Sequence, residues 1–551
     1  MRTLLHTTLL AAIAAPMLAQ TPPPHPRDGE IHSADTLAWW HTTEDLSGDS
    51  MEGRDTGTAA YQRAADYVAA RFRAAGLKPA GDNGTYFQVV PMHEIDVLPE
   101  GTFFTVVIGD SDELGFGLKF LHDITLNISA ATPREVLGAI VFRGYCGKHE
   151  MSNVKDRVVL CFGTQHLGLP SSGERTANAS AAGAVGIINI DDPYFSIEPP
   201  RWPAAYARSV TLKTAQNGAP AANPILTMRC SAEAFHKFLQ GTKHDPDFIL
   251  KTGGGQQPLA NFDLLDHVIH VKLATAEKDI SSPNVLALLP GSDDTVGNEV
   301  VVAGAHLDGY GYGTPVKGDA LYNGALDDAA YVALLIQMAD DLRAGLVKKG
   351  GLKQVAYMRA RDSDARDTGI TLEAPRRSIL FAAFTGEEKG LLGSSWFVQH
   401  PTVPKEKLVA DVNLDQLRPL FPLKIMTAEA VNDTTLGATA REVGAKMGID
   451  IREDKEPERG LLRRADQYPF LKIGVPAISF IFGYDDGTDE ERRYREWYQV
   501  RYHRPQDDLT QPVDFDAASK FDVFFYRLIE TIANAAAKPE ILPDSQFAPR
   551  K

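Results

Sequence analysis

Two adjacent glutamates, Glu387 and Glu388, close an apolar run in "SILFAAFTGEEKGLLGS", and four other short stretches end in residues able to bind a metal or move a proton. "VVVAGAHLDGYG" offers His306 and Asp308, "LVADVNLDQ" offers Asp415, "NGALDDAA" offers Asp327 and Asp328, and "RYHRPQDD" offers His503. Each has a plain alternative: H-x-D as a surface hydrogen bond, an Asp pair as a helix cap, a Glu pair as a solvated first turn. Their joint placement is harder to assign to solvation, because a deeply apolar strand rarely ends in two carboxylates without a use for them. Imidazole and carboxylate donors, with neither a thiolate nor an all-oxygen cage, suit zinc, with cobalt or manganese as substitutes. Five such ligands exceed one open tetrahedral site but can hold two ions if one carboxylate bridges. Ions roughly 3.5–4 Å apart would polarise a carbonyl and hold a hydroxide between them.

The elements that must position these residues are readable from about residue 280 onward, where apolar β-branched runs alternate with helical segments. That rhythm predicts an α/β fold with a doubly wound, mostly parallel sheet, whose ligands gather beyond the carboxyl ends of the strands. Upstream, "GTAAYQRAADYVAARFRAAGLKP" places Tyr61, Ala65, Val68 and Phe72 at helical spacing and stops at Gly76 and Pro79. Between about 100 and 262 the texture changes to short β-like runs such as "VLGAIVFRG" and "DRVVLCFG", which predicts a separate β-rich domain. The charged passage "MRARDSDARDTG" reads as a solvated insertion.

A chain of 551 residues calls for two or three domains. With 72 acidic against 56 basic residues, a net charge of -16 disfavours a nucleic-acid surface and adds no pull toward anionic lipid. Residues 1–20 carry an early arginine, a leucine- and alanine-rich stretch and a cleavable small residue at Ala19, the pattern of a secretory signal. The stretch is interrupted by His6, Thr7 and Thr8 and falls short of the roughly 20 apolar residues that span a bilayer, so stable membrane insertion is not expected. The chain is expected in the periplasm or outside the cell. Cys146, Cys161 and Cys230 are too few for a disulfide framework and read individually as small buried hydrophobes, although one pair could bridge after export.

"AHLDGYG", "NGALDDAA", "FTGEEKGLLGS", "NLDQL", "RADQYPFLKIGVPAISF" and "YHRPQDD" resemble, in order and rough spacing, the dinuclear-zinc aminopeptidase family, whose relatives include glutamate carboxypeptidase, the transferrin receptor and glutaminyl cyclase. "MEGRDTGTAAYQRAADYVAARFRAAGLKPAGDNGTYFQ" is similar to that family's N-terminal segment, and residues 101–262, with "DRVVLCFGTQ" and "NASAAGAVGIINI", resemble a protease-associated domain. The resemblance implies a discontinuous peptidase domain over 36–100 and 263–540, with two zinc ions per chain. His306 and Asp415 would bind one ion, Glu388 and His503 the other, and Asp327 would bridge. It further implies Glu387 as general base, Asp308 as the carboxylate on the outer nitrogen of His306, and Tyr502 as a donor to the tetrahedral oxyanion. Departures from the family pattern are Ala330 and Tyr331 after the bridging Asp, expected to narrow the pocket, Gln416 after Asp415, and Arg504 after His503.

The expected function is an aminopeptidase acting on peptides. A glutamate-carboxypeptidase-like enzyme would need arginines in the pocket, and Arg463 and Arg464 read instead as a solvated surface pair. A glutaminyl cyclase, using one zinc and usually lacking the first histidine, is disfavoured by His306. A receptor-like module that has lost its metals is disfavoured by the complete set of five ligands and base.

Overall fold

Val300–His306, a buried strand apolar up to its final histidine, lies near the middle of the C-terminal part of the main sheet. Ser378–Phe384 and Leu408–Leu414 pair with it in parallel on either side, and Ala477–Phe482 lies parallel beyond Leu408–Leu414. The flanks turn antiparallel: Ile425–Glu429 against Ala477–Phe482 on one side, and the long strand Phe262–Leu289 against Ser378–Phe384 on the other. The computed structural model describes residues 25–109, 111–213, 224–348, 355–356, 371–372 and 375–549. Residues 1–20 and the "MRARDSDARDTG" passage lie outside these.

Each central strand is apolar on both faces because both are covered. Val301, Ala303 and Ala305 join a core with Ala34–Ser47, Ala59–Ala74, Ala330–Lys348 and Phe515–Asn534. Val300, Val302, Leu380 and Ala382 face the other way, toward Phe397 and Val398 of Leu392–Gln399 and Phe470 and Leu471 of Gln467–Lys472. The helix expected from its Tyr61, Ala65, Val68 and Phe72 spacing runs Ala59–Ala74 with all four buried, and the Thr58 side chain accepts from Tyr61 N at its start.

The intervening residues build a second core of their own, spanning Ile95 to Leu273. Glu135–Phe142, Val158–Gly163, Gly186–Asp191 and Leu226–Cys230 form parallel ladders there. Three helices, Ser172–Ala181, Ala232–Leu239 and Pro246–Gly254, accompany them, so the segment is mixed α/β rather than merely β-rich. It is continuous with the sheet around Val300–His306, because Phe87–Ile108 and Phe262–Leu289 pair antiparallel over much of their length and pass from one core to the other. Two cysteines correct the reading of them as separate hydrophobes. Cys146 and Cys161 are disulfide-bonded, brought together where the chain leaving Glu135–Phe142 turns back over Val158–Gly163; Cys230 is buried and free.

Candidate active site

The strand ends deliver their polar residues to one place. His306 is the last residue of its strand; Glu387 and Glu388 follow Ser378–Phe384 by a short turn, and Asp415 follows Leu408–Leu414 directly. The turn needs Gly386, whose φ of 67° is left-handed and whose added Cβ would press on Leu392 at 3.0 Å. The helix after the Glu pair begins only at Leu392, so both glutamates sit in the preceding turn.

Asp327 lies in a π-helical turn, Ala325–Ala329, held by Asp507, whose carboxylate accepts from Leu326 N at 3.0 Å and Asp327 N at 3.1 Å. Asp328 points elsewhere, accepting from His306 N and Gln416 N, both at 3.2 Å, and so ties two strand ends together. Arg54 is wholly buried and donates to the carbonyls of Leu46, Leu307, Asn323 and Gly324, pinning the His306 and Asp327 loops to each other. Tyr310 OH lies 3.0 Å from the outer nitrogen, Nδ1, of His503. Arg54, Tyr310 and Asp507 received no role from sequence reasoning, although each stands inside a stretch that carried the family resemblance.

The expected ligands divide into two sets. Donor atoms of His306, Asp327 and Asp415 lie within 4.8 Å of one another, as do those of Asp327, Glu388 and His503. Asp327 splits its oxygens, Oδ1 standing 3.3 Å from His306 Nε2 and Oδ2 3.2 Å from His503 Nε2. Glu388 Oε2 is 3.4 Å from His503 Nε2, and Asp415 Oδ1 is 3.9 Å from His306 Nε2. Glu387 belongs to neither set, its Oε2 4.0 Å from His306 Nε2.

These separations fit a pair of ions. Zinc bonds of roughly 2.0–2.1 Å place neighbouring tetrahedral donors about 3.3 Å apart. His306 Nε2, Asp327 Oδ2, Glu388 Oε1 and Asp415 Oδ1 are buried without a hydrogen-bond partner among the described residues, a costly state for polar atoms unless something else binds them. Burial pulls His503 down to about 4, which keeps the imidazole neutral and able to ligate. Burial, reinforced by neighbouring carboxylates, pushes Asp415 up to about 6 and Glu387 and Glu388 well above the usual range. So much crowded negative charge is what a divalent pair would relieve.

Two expectations need correction, and a third needs an addition. The Asp308 carboxylate does not orient His306: the Nδ1 partner is the Asp308 main-chain carbonyl at 3.0 Å, while the carboxylate stands 3.8 Å away. That carboxylate accepts instead from Thr56 Oγ1 at 3.0 Å and from the Glu387 and Glu388 amides at 3.0 and 3.3 Å. Tyr331 does not narrow the pocket; it is buried in the helical core against Phe521. Arg464 is exposed, as expected, but not unpaired: it makes a bidentate pair with Glu198 of the intervening segment at 2.7 and 3.1 Å.

Glu387, Glu388, Asp415, Tyr502 and His503 line a cavity of about 420 Å³, walled by Leu391, Leu461, Tyr468, Phe480 and Ile481. It shares Tyr310, Arg463, Arg464 and His503 with a cleft of about 900 Å³ against the intervening segment. That segment docks here: Arg504 donates to the carbonyls of Trp202 and Pro203, and Glu458 accepts from Leu167 N.

Residues 284–526, which contain every expected ligand and the Glu387 carboxylate, match Peptidase family M28. Two proteins named probable zinc metalloprotease, from Pyrenophora tritici-repentis (strain Pt-1C-BFP) and Pyrenophora teres f. teres (strain 0-1), are 24% identical over 292 and 280 residues, 47% of this chain in each case. The chain spans 59% and 50% of their lengths. The fold is similar to an aminopeptidase from Aneurinibacillus sp. strain AM-1 (TM-score 0.55, 16% identity, 92% of this chain and 95% of that one). It is also similar to a zinc aminopeptidase from Bacillus subtilis (TM-score 0.54, 16% identity, 90% and 94%). A Peptidase M28 precursor from Shewanella amazonensis SB2B gives a TM-score of 0.51 at 17% identity over 92% and 99%. The likeness of fold thus reaches beyond residues 284–526 into the intervening segment.

Proposed function

We propose that this chain is an exported zinc aminopeptidase that hydrolyses N-terminal residues from peptides, with two zinc ions per chain. The observation that carries the reading is the division of Asp327 between His306 and His503, the geometry of a carboxylate shared by two ions. His306 and Asp415 would hold one zinc, Glu388 and His503 the other. When bound, the pair would supply a polarised carbonyl and water activated at neutral pH.

The chain's own groups do the rest. Glu387, beside both donor sets and part of neither, accepts the proton from water and returns it to the leaving amine. Tyr502, buried on the cavity wall, donates to the developing oxyanion. Asp308 holds the Glu387–Glu388 turn rigid through its two amides. Residues 101–262 would be a protease-associated domain that closes one side of the cleft. Export is supported by the signal pattern of residues 1–20 and by the Cys146–Cys161 disulfide, which belongs in an oxidising compartment. No helix among the described residues is long and apolar enough to cross a membrane.

A carboxypeptidase reading stands second because Arg463 and Arg464 line the cavity. The test is a cleavage profile on free and N-acetylated peptides with and without chelator, alongside zinc content per chain. Two zincs, chelator-sensitive activity and a required free α-amine are expected; equal cleavage of blocked and free peptides would overturn the aminopeptidase assignment.

A further inference from the structure

Tyr502 is held by more than its place beside His503. Its phenolic oxygen accepts two hydrogen bonds, from Gln416 Nε2 at 2.8 Å and from Arg464 Nη2 at 3.3 Å. Tyr498 OH donates to Gln416 Oε1 at 2.9 Å, which turns the amide nitrogen toward Tyr502. A phenol has one proton to give and two lone pairs to receive. With both lone pairs engaged, the Tyr502 proton has no role in this network and is left to point into the cavity that Tyr502 lines.

A carboxylate partner helps to fix the Arg464 guanidinium, whose Nη1 also donates to the Arg459 carbonyl at 3.2 Å. That partner, Glu198, lies in the loop after Gly186–Asp191, in the segment between the two parts of the catalytic sheet, 266 residues away in sequence. Glu198 also accepts from Arg201 Nη2 at 3.0 Å, and the Arg201 guanidinium sits 4.4 Å above the Tyr502 ring. Burial disfavours the Glu198 charge, yet Arg464, Arg201 and Arg459 outweigh it and hold the carboxyl far below the usual range. A bidentate pair fixes the plane of an arginine as a single bond cannot.

We infer that Glu198 is a positioning residue for the reaction proposed above: by clamping Arg464 onto the phenolic oxygen, the intervening segment aims the Tyr502 proton at the oxyanion. The inference rests on the hydrolase reading, and it assigns the segment a part in turnover beyond covering the cleft.

The experiment is a double-mutant cycle on zinc-loaded enzyme, with an aminoacyl p-nitroanilide bearing a free α-amine. Tyr502→Phe is expected to lower kcat about a hundredfold, the scale of one lost oxyanion donor. Glu198→Gln should lower kcat about tenfold, as a misaligned group does, with KM nearly unchanged. In the Tyr502→Phe background Glu198→Gln should cost nothing further, because its effect runs through the hydroxyl already removed. Effects that multiply in the double variant, or a Glu198→Gln enzyme with raised KM and unaltered kcat, would show that Glu198 only docks the segment and would overturn the inference. Arg464→Gln supplies the same cycle if Glu198→Gln does not fold. A zinc-loaded wild type that cleaves no free-amine substrate would sink the aminopeptidase reading itself; active wild type with a multiplicative cycle sinks only the role of Glu198.

Discussion

Asp308→Asn separates two accounts of the same residue. If its carboxylate oriented the His306 ring, the substitution would weaken the ion held by His306, Asp327 and Asp415. In the structure the ring is held by the Asp308 carbonyl, which the substitution leaves in place, and the carboxylate serves Thr56 and the two glutamate amides. An asparagine has one acceptor oxygen. Its nitrogen is best tolerated toward Thr56, whose hydroxyl can rotate to accept, and that choice leaves the Glu388 amide without a partner. The lost charge-assisted bond and the stranded buried amide together come to about 2–4 kcal/mol. Displacement of Glu388 should then weaken zinc at the Glu388–His503 set about 10- to 100-fold, the usual effect of losing a ligand's support. The assay is chelator competition in two backgrounds, each retaining one donor set. With His306→Ala, the added Asp308→Asn should lower zinc affinity by that factor; with His503→Ala it should leave affinity unchanged. The reverse pattern would refute the hydrogen-bond assignment, and an unaltered affinity in both would refute the support argument.

Glu387→Gln should retain both zincs and the fold yet lose on the order of 10²–10⁴ in kcat, measured by metal analysis and steady-state kinetics. Tyr310→Phe removes the partner of His503 Nδ1 and should weaken zinc at that set about 10- to 100-fold, read by the same competition. Glu429, on the cavity wall and in neither donor set, tests a pH dependence. Burial, with help from Asp454, pushes its carboxyl up to about 8. The folded protein therefore holds a proton there that the unfolded chain releases near its ordinary value, and stability falls as pH rises from about 4.5 to about 8. Glu429→Gln should flatten that slope, a difference on the order of 4 kcal/mol between pH 5 and pH 9 in urea titrations; parallel pH profiles for the two proteins would contradict it.

The residues that gather as candidate donors were readable from the sequence because each pairs a telling residue type with a telling place. His306, Glu388 and Asp415 follow apolar runs that can only be buried strands, and the strand ends of such a sheet converge. Most of the residues that hold those side chains still were not readable, for a common physical reason: their partners are main-chain atoms. Arg54 donates to four carbonyls, Asp507 and Asp308 accept from amides, and the His306 ring rests on a carbonyl. Every residue has an amide or a carbonyl, so no residue type marks which one is used. The Cys146–Cys161 bond and the Glu198–Arg464 pair were hidden differently, since proximity in both comes from how the chain folds back rather than from composition.

The same reason explains why Glu387 and Glu388, identical in type and adjacent in sequence, are given different work. Both amides are tied to one carboxylate, so the turn presents its two side chains at a fixed angle. Glu388 lands 3.4 Å from His503 Nε2, inside a donor set, whereas Glu387 lands beside both sets and in neither. Had the turn been free, each carboxylate could have swung toward the positive charge, and the proton acceptor would have been captured as a ligand. The division proposed between a base and a ligand one peptide away would rest on rigidity at the backbone, to which the buried carboxylate of Asp308 contributes.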